Sequence, residues 1–276
     1  MNPGSLNPSP ALARFSSAVP SVARAVDRLV CMEIRGGNRS GVHAADLAGL
    51  RAWVSCRPLE PAAAGGDLYY LTVCSSPFIS RVILADVEGH GDVVGMVAEQ
   101  LRDALREYAD DWDQSAMIGR LNDGFPKGAA LGKYATAFFL CHHAGTGEIL
   151  FTNAGHVPPL WYRAATGRWT QLDKDTPNAK EIADLPLGMI PGTPYQQTAV
   201  QLEPGDLLLL YTDGVNESCD PGGEELGLDG LMQLAGSLPT RSAAAAGEAL
   251  VDAVARFRGS TPPADDETVV ALELMA

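Results

Sequence analysis

From Ala135 to Tyr211 the chain is written in short apolar runs, each closed by a turn rich in glycine or proline. Ala135 to Cys141 and Ile149 to Asn153 flank Gly145-Thr146-Gly147. Leu160 to Arg163 and Trp169 to Leu172 flank Thr166-Gly167, and Thr198 to Leu202 and Leu207 to Tyr211 flank Glu203-Pro204-Gly205-Asp206. Runs of this length and type read as strands. Turns this short join antiparallel neighbours, whereas parallel pairing needs a crossover of a dozen residues or more. The stretch therefore excludes a regular alternation of strand and helix.

Upstream, Leu68 to Val73 and Arg81 to Ala85 read as strands, and Glu267 to Leu274 closes the sequence as another. The period changes between them. Val94, Val97, Leu101, Ala104/Leu105 and Tyr108 form one stripe and predict a helix over Val93 to Tyr108. Further helices are predicted over Asp113 to Asp123, Glu224 to Ala235 and Ser242 to Phe257. Segregated runs of strands and helices indicate an α+β fold with mainly antiparallel β-sheets. About ten strands are more than one sheet usually holds, which implies two packed sheets. Residues 1–45, rich in Pro, Ser, Gly and Ala, read as an N-terminal extension. It is expected to be partly ordered or to form one short helix, for which Ser21 to Val30 has the spacing. Residues 46–276 read as the folded domain.

Twenty Lys and Arg against 34 Asp and Glu leave a net charge of −14 on 276 residues. That balance argues against nucleic acid, which selects a basic face, and against anionic membrane. The 46% of hydrophobic residues is enough for a substantial core. Apolar runs such as Leu207 to Tyr211 fall far short of the ~18 residues of a membrane helix. No signal peptide is expected. The five cysteines are widely spaced and no CxxC occurs, which suits reduced thiols in the cytoplasm and not a zinc site.

Four acidic signals sit where an apolar run meets a turn: Gly65-Gly66-Asp67, Asp86-Val87-Glu88-Gly89-His90-Gly91, Asp213-Gly214 and Asp265-Asp266. Each alone is an ordinary turn. Together they repeat one arrangement, a carboxylate at a strand end with flexible backbone beside it. If the sheets gather these ends, like charges raise one another's pKa, and hard divalent cations such as Mg²⁺ or Mn²⁺ relieve them.

GGDLYYLTV, RVILADVEGHG, YATAFF, ILFTNAGHVPPLWYR, LPLGMIPG, VQLEPGDLLLLYTDGVNES and PADDETVVAL occur in that order over about residues 48–275. This set resembles the PPM (PP2C-like) metal-dependent serine/threonine phosphatases, in particular their bacterial SpoIIE/RsbU-type branch. The resemblance implies two sheets packed face to face with helices outside, a four-layer α-β-β-α sandwich. It implies hydrolysis of phosphoserine or phosphothreonine by water activated between two Mn²⁺ or Mg²⁺ ions, with no covalent phosphoenzyme. Asp86 resembles the carboxylate that bridges both ions, and the Val87 carbonyl a further ligand. Asp213 and Asp265 resemble ligands of the second ion. Asp67 resembles the carboxylate holding water on the first, and Asp266 a cap at the strand start. The implied substrate is a phosphorylated regulatory protein of the STAS, anti-anti-sigma type in a partner-switching pathway. With only ~45 residues ahead of the domain, control would come from a separate sensor or activator protein, or activity would be constitutive. The helix after Gly91 and the segment 113–123 are the expected regulatory surface, with Val94, Val97 and Met117 as its test positions.

The chain departs from the family pattern in places. Glu88 stands where relatives often carry a small residue, and reads as a solvent-facing turn residue or as extra charge beside the first ion. Tyr70 stands where many have Asp, which bears on an outer contact of the site. His90, His156 and His142-His143 are expected to be structural. Two nucleotide-site imitations, Gly89 to Gly95 and Gly128 to Lys133, lack the required context or residues. The alternative from another class is a catalytically silent, phosphatase-like module that binds a phosphoprotein or regulator.

Overall fold

The computed structural model describes residues 26–30, 33–74, 78–108, 111, 113–125, 132–172 and 184–275. Among these residues thirteen strands and five helices run in the order β1 (Asp27–Arg28), β2 (Ile34–Gly37), β3 (Gly41–Asp46), β4 (Leu50–Arg57), β5 (Asp67–Val73), β6 (Ile79–Val87), α1 (Asp92–Glu107), α2 (Gln114–Gly124), β7 (Ala135–His143), β8 (Glu148–Ala154), β9 (Leu160–Arg163), β10 (Arg168–Gln171), β11 (Thr198–Gln201), β12 (Leu207–Tyr211), α3 (Asp213–Asn216), α4 (Gly227–Ala235), α5 (Ala243–Arg258) and β13 (Glu267–Leu274). One sheet has the order β1-β3-β4-β13-β12-β9-β10, the other β11-β8-β7-β6-β5-β2. Every strand pair is antiparallel except β1 with β3.

Side-chain alternation builds the layers. Tyr69, Leu71, Leu84, Phe138 and Leu140 of one sheet meet Val54, Leu208, Leu210, Val270 and Leu272 of the other in a shared core. The opposite face of the six-stranded sheet offers Leu68, Tyr70, Ile83 and Phe139 to Val97, Leu101 and Leu105 of α1 and to Met117 and Leu121 of α2. On the seven-stranded sheet, Trp53, Leu207, Leu209 and Ala271 take Leu231 of α4 and Ala246 and Leu250 of α5. Both faces of each sheet are covered, which is why Leu207 to Tyr211 is apolar throughout. Gly247 lets α5 approach closely, because a Cβ there would enter the Trp53 ring. The four-layer sandwich is the expected one.

The differences lie mainly at the N-terminal side. Residues 21–25 of the expected helix fall outside the described residues, and Asp27–Arg28 are extended, pairing with Ala45 and Asp46. Strands β2 and β3 are laid into the two sheets ahead of residue 46, and the expected boundary at 45/46 falls inside β3. Val94, Val97 and Met117, expected on a regulatory surface, are core residues; Val93 and Met96 are the exposed apolar positions of α1. Among the described residues no helix is long and apolar enough to cross a membrane.

Candidate functional site

Antiparallel register places Asp67, first residue of β5, directly opposite Asp86 near the end of β6. Directly opposed side chains share a face and lie close together. Asp67 has the parity of Tyr69, and Asp86 that of Leu84, so both carboxylates point into the gap between the sheets, at its rim. The seven-stranded sheet meets them with threonines. Thr212 donates its hydroxyl to Asp67 Oδ2 at 2.7 Å and accepts the Thr268 N–H at 3.0 Å. The Thr212 N–H in turn donates to the Thr268 carbonyl at 3.1 Å. One hydroxyl thus ties the two sheets together at a buried carboxylate.

The turns complete the rim. Asp213 begins α3 and Asp265 lies in the turn before β13, both half-buried. Asp266 is buried, and its carboxylate accepts the Leu59 and Gly66 N–H groups, each at 2.6 Å. Its own N–H donates to Asp265 Oδ1 at 2.8 Å. Asp266 therefore does more than cap its strand: it pins the turn that delivers Asp67. Gly66 has a steric role in that turn, since a Cβ on it would stand 2.6 Å from the Val87 carbonyl oxygen.

The electrostatics show the crowding. The carboxyl of Asp86 is pushed up to about 10, first by burial and then by Asp67, Asp213 and Asp265. Asp67 is held well above the usual carboxylate range by burial and by Asp266, against the opposing hydrogen bonds of Thr212 and Thr268. Asp265 is raised by burial, against the hydrogen bond from the Asp266 N–H, with the charges of Asp266 and Asp213 adding to it and His90 opposing. Among the described residues no Lys or Arg forms an ion pair with Asp67, Asp86, Asp213 or Asp265. Among the described residues, too, no three His, Cys, Asp or Glu side chains form a ready-made ion cage. The donor set is carboxylate and carbonyl oxygen. That fits a hard divalent cation such as Mg²⁺ or Mn²⁺, which keeps several waters and takes few protein ligands.

Other singled-out residues lie outside this cluster. Tyr70 faces the α1/α2 layer, on the sheet face opposite that of Asp67 and Asp86. Glu88 and His90 are exposed. His156 is buried and held at about 4 by burial, so its ring is neutral at pH 7. Its Nδ1 lies 2.8 Å from the hydroxyl of Thr136, the β7 residue opposite Asp86. Its N–H donates to Asn153 Oδ1 at 2.7 Å. The sequence reading overlooked Thr212 and Thr268. Their only local signal was a hydroxyl beside an acidic turn, and their partners are remote in sequence.

The family model for stage II sporulation protein E (SpoIIE) matches residues 80–275. The chain belongs to the SpoIIE family. The family match takes in Asp86, Asp213 and Asp265. The phosphoserine phosphatase RsbP of Bacillus subtilis (strain 168) is 26% identical over 156 residues, 54% of this chain and 36% of that relative. The chain thus matches little more than a third of that relative's length. Among solved structures, the RsbU and RsbW domains of Rv1364c from Mycobacterium tuberculosis superpose with a TM-score of 0.67 at 25% identity, over 91% of this chain and 62% of that one. The catalytic domain of the serine/threonine protein phosphatase PstP, in complex with 2 manganese ions, gives 0.55 at 18% identity, over 82% of this chain and 99% of that one. This SpoIIE-family chain therefore has the fold of the PP2C-type phosphatases.

Proposed function

We propose that this chain is a metal-dependent phosphoprotein phosphatase that hydrolyses phosphoserine or phosphothreonine. In this reading Asp67, Asp86, the Val87 carbonyl, Asp213 and Asp265 hold two Mn²⁺ or Mg²⁺ ions. The observation that carries it is the pair Asp67–Asp86, buried and half-buried, directly opposed, with Asp213 and Asp265 arriving from the other sheet and, among the described residues, no Lys or Arg ion-paired to any of them. The name of RsbP and the manganese ions of PstP support the same reading.

Bound at these oxygens, the ions supply an activated water and neutralise phosphoryl charge. The chain's own residues hold the frame. Thr212 orients Asp67, and Asp266 fixes Gly66 so that the Val87 carbonyl stays beside it. The Cys56 thiol, which feels Asp67 and Asp266, is pushed up to about 12 by burial, and a thiol in that state does not attack. Neutral, buried His156 is not an acid at neutral pH. The substrate we favour is a phosphorylated regulatory protein of the STAS type in a partner-switching pathway in the cytoplasm, with a separate sensor or activator protein as the control.

The test is hydrolysis of an aryl phosphate and of a phosphoserine peptide in Mn²⁺, Mg²⁺ or EDTA, with Asp86→Asn and Asp213→Asn. The expected result is metal-dependent turnover that falls by orders of magnitude in both variants. Folded protein that is inactive in every metal and shows no calorimetric metal binding would overturn the proposal.

A further inference from the structure

Lys133 leads into β7, and its ammonium donates to the Glu88 carbonyl at 2.8 Å. The ammonium lies 3.0 Å from where a Cβ on Gly89 would stand, so it rests against bare backbone of the turn that follows Asp86. The next residue secures the same turn, since the Tyr134 carbonyl accepts the Glu88 N–H at 3.0 Å. The Tyr134 phenol is near enough to Glu88, Asp86 and Asp213 that their charges, after burial, raise it. Lys133 is thus a half-buried cation tethered at the rim of a carboxylate cluster. An ammonium has three donors. The Glu88 carbonyl takes one, and among the described residues no carboxylate pairs with Lys133 and no other acceptor takes the remaining two.

A phosphate monoester is a dianion, and it must approach a rim of carboxylates on a chain of net charge −14. Metal ions offset the carboxylates, and a cation fixed by the protein would add a direct contact to the phosphoryl oxygens. We propose that Lys133 is that cation. Tethered through the Glu88 carbonyl, it offers its two free N–H donors to the non-bridging oxygens of the phosphoryl group. This rests on the phosphatase reading above and adds a substrate-binding residue to it. Lysine suits the task as a point charge that binds phosphate without a fixed fork. The tether shortens the reach of a flexible side chain and so lowers the entropy lost on binding.

The experiment is steady-state hydrolysis of an aryl phosphate in Mn²⁺, with inorganic phosphate as competing inhibitor and a calorimetric Mn²⁺ titration, for wild type, Lys133→Ala and Lys133→Arg. In Lys133→Ala, KM and the phosphate inhibition constant should both rise roughly tenfold or more, the loss of a charge-assisted hydrogen bond. The fall in kcat should be much smaller than the fall in kcat/KM, and Mn²⁺ affinity should hold. Lys133→Arg should recover most of the phosphate affinity. An active wild type with an unchanged phosphate inhibition constant in Lys133→Ala overturns this inference alone. So does a joint loss of kcat and Mn²⁺ affinity with phosphate affinity intact, because Lys133 would then only brace the turn. A wild type without metal-dependent turnover overturns the phosphatase reading and this inference with it.

Discussion

Neutralising Asp86 should make the metal-free protein more stable while it destroys activity. In the unfolded chain an aspartate titrates near ~3.9; in the fold Asp86 is pushed up to about 10. At pH 7 the folded, metal-free chain must therefore take up a proton that the unfolded chain does not carry. Three pH units at ~1.36 kcal/mol each give about 4 kcal/mol as the largest possible cost. Asn is nearly isosteric and bears no such cost. Asp86 also shares its repulsion with Asp67, so a gain of about 2–4 kcal/mol is expected for Asp86→Asn in EDTA. For a domain of this size that is roughly 5–10 °C in Tm. The sign with pH follows from the raised folded value. The Asp86 contribution to metal-free stability is most favourable below ~4 and is lost as pH climbs from there towards about 10, by up to ~1.36 kcal/mol per unit. The Asp86→Asn curve should be flatter. Mn²⁺ should reverse the order, because it stabilises only the form that binds it. Urea unfolding at pH 5, 7 and 9, in EDTA and in Mn²⁺, measures all of this. An Asp86→Asn protein no more stable than wild type in EDTA at pH 7 and 9 would refute the reasoning.

Thr212→Val leaves the Thr268 N–H without its acceptor and removes the Thr212 donor from Asp67, at a cost of about 2–4 kcal/mol; Thr212→Ser should retain most of the stability, and a Thr212→Val loss below ~0.5 kcal/mol by urea unfolding would count against the cross-sheet role. Gly66→Ala drives a Cβ to 2.6 Å from the Val87 carbonyl oxygen, so about 1–3 kcal/mol of stability should go, with a weaker Mn²⁺ affinity by calorimetry. His156 is depressed to about 4, so its stabilising contribution is present above ~6.5 and falls away as pH drops towards about 4, by up to ~3 kcal/mol. A His156→Gln variant should lack that acid slope, and parallel pH–stability curves would show the ring to be uninvolved.

The strands from Leu68 onward were legible because both sheet faces are covered, so that short apolar runs stand out against glycine turns. Asp67, Asp86, Asp213 and Asp265 were legible for the opposite reason, as charges at strand ends. Ile34–Gly37 and Gly41–Asp46 were not legible. Their residues are mostly half-buried and glycine-rich, so neither alternation nor propensity marks them. The helical spacing of Val26, Leu29 and Val30 misled, because only Leu29 is buried and the two valines are exposed. Thr212, Thr268 and Lys133 escaped because their value lies in partners. Thr212 reads as an ordinary residue at a strand end until its hydroxyl is seen on Asp67, and Lys133 reads as a loop cation until the Glu88 carbonyl is found beneath it.

The Asp67–Thr212 and Gly66–Asp266 bonds join residues 145 and 200 positions apart. β13, which follows Asp265 and Asp266, is inserted between β4 and β12 in the middle of its sheet. On a ribosome adding ~5–20 residues per second, Asp67 and Asp86 emerge roughly 10–40 s before Asp265. During that interval the nascent chain carries half of a carboxylate cluster and lacks the strand needed to close one sheet. In the phosphatase reading, turnover is then an all-or-none property of the finished domain. A chain cut short before Glu267 would carry the N-terminal carboxylates as a free charged edge and would contribute no residual turnover.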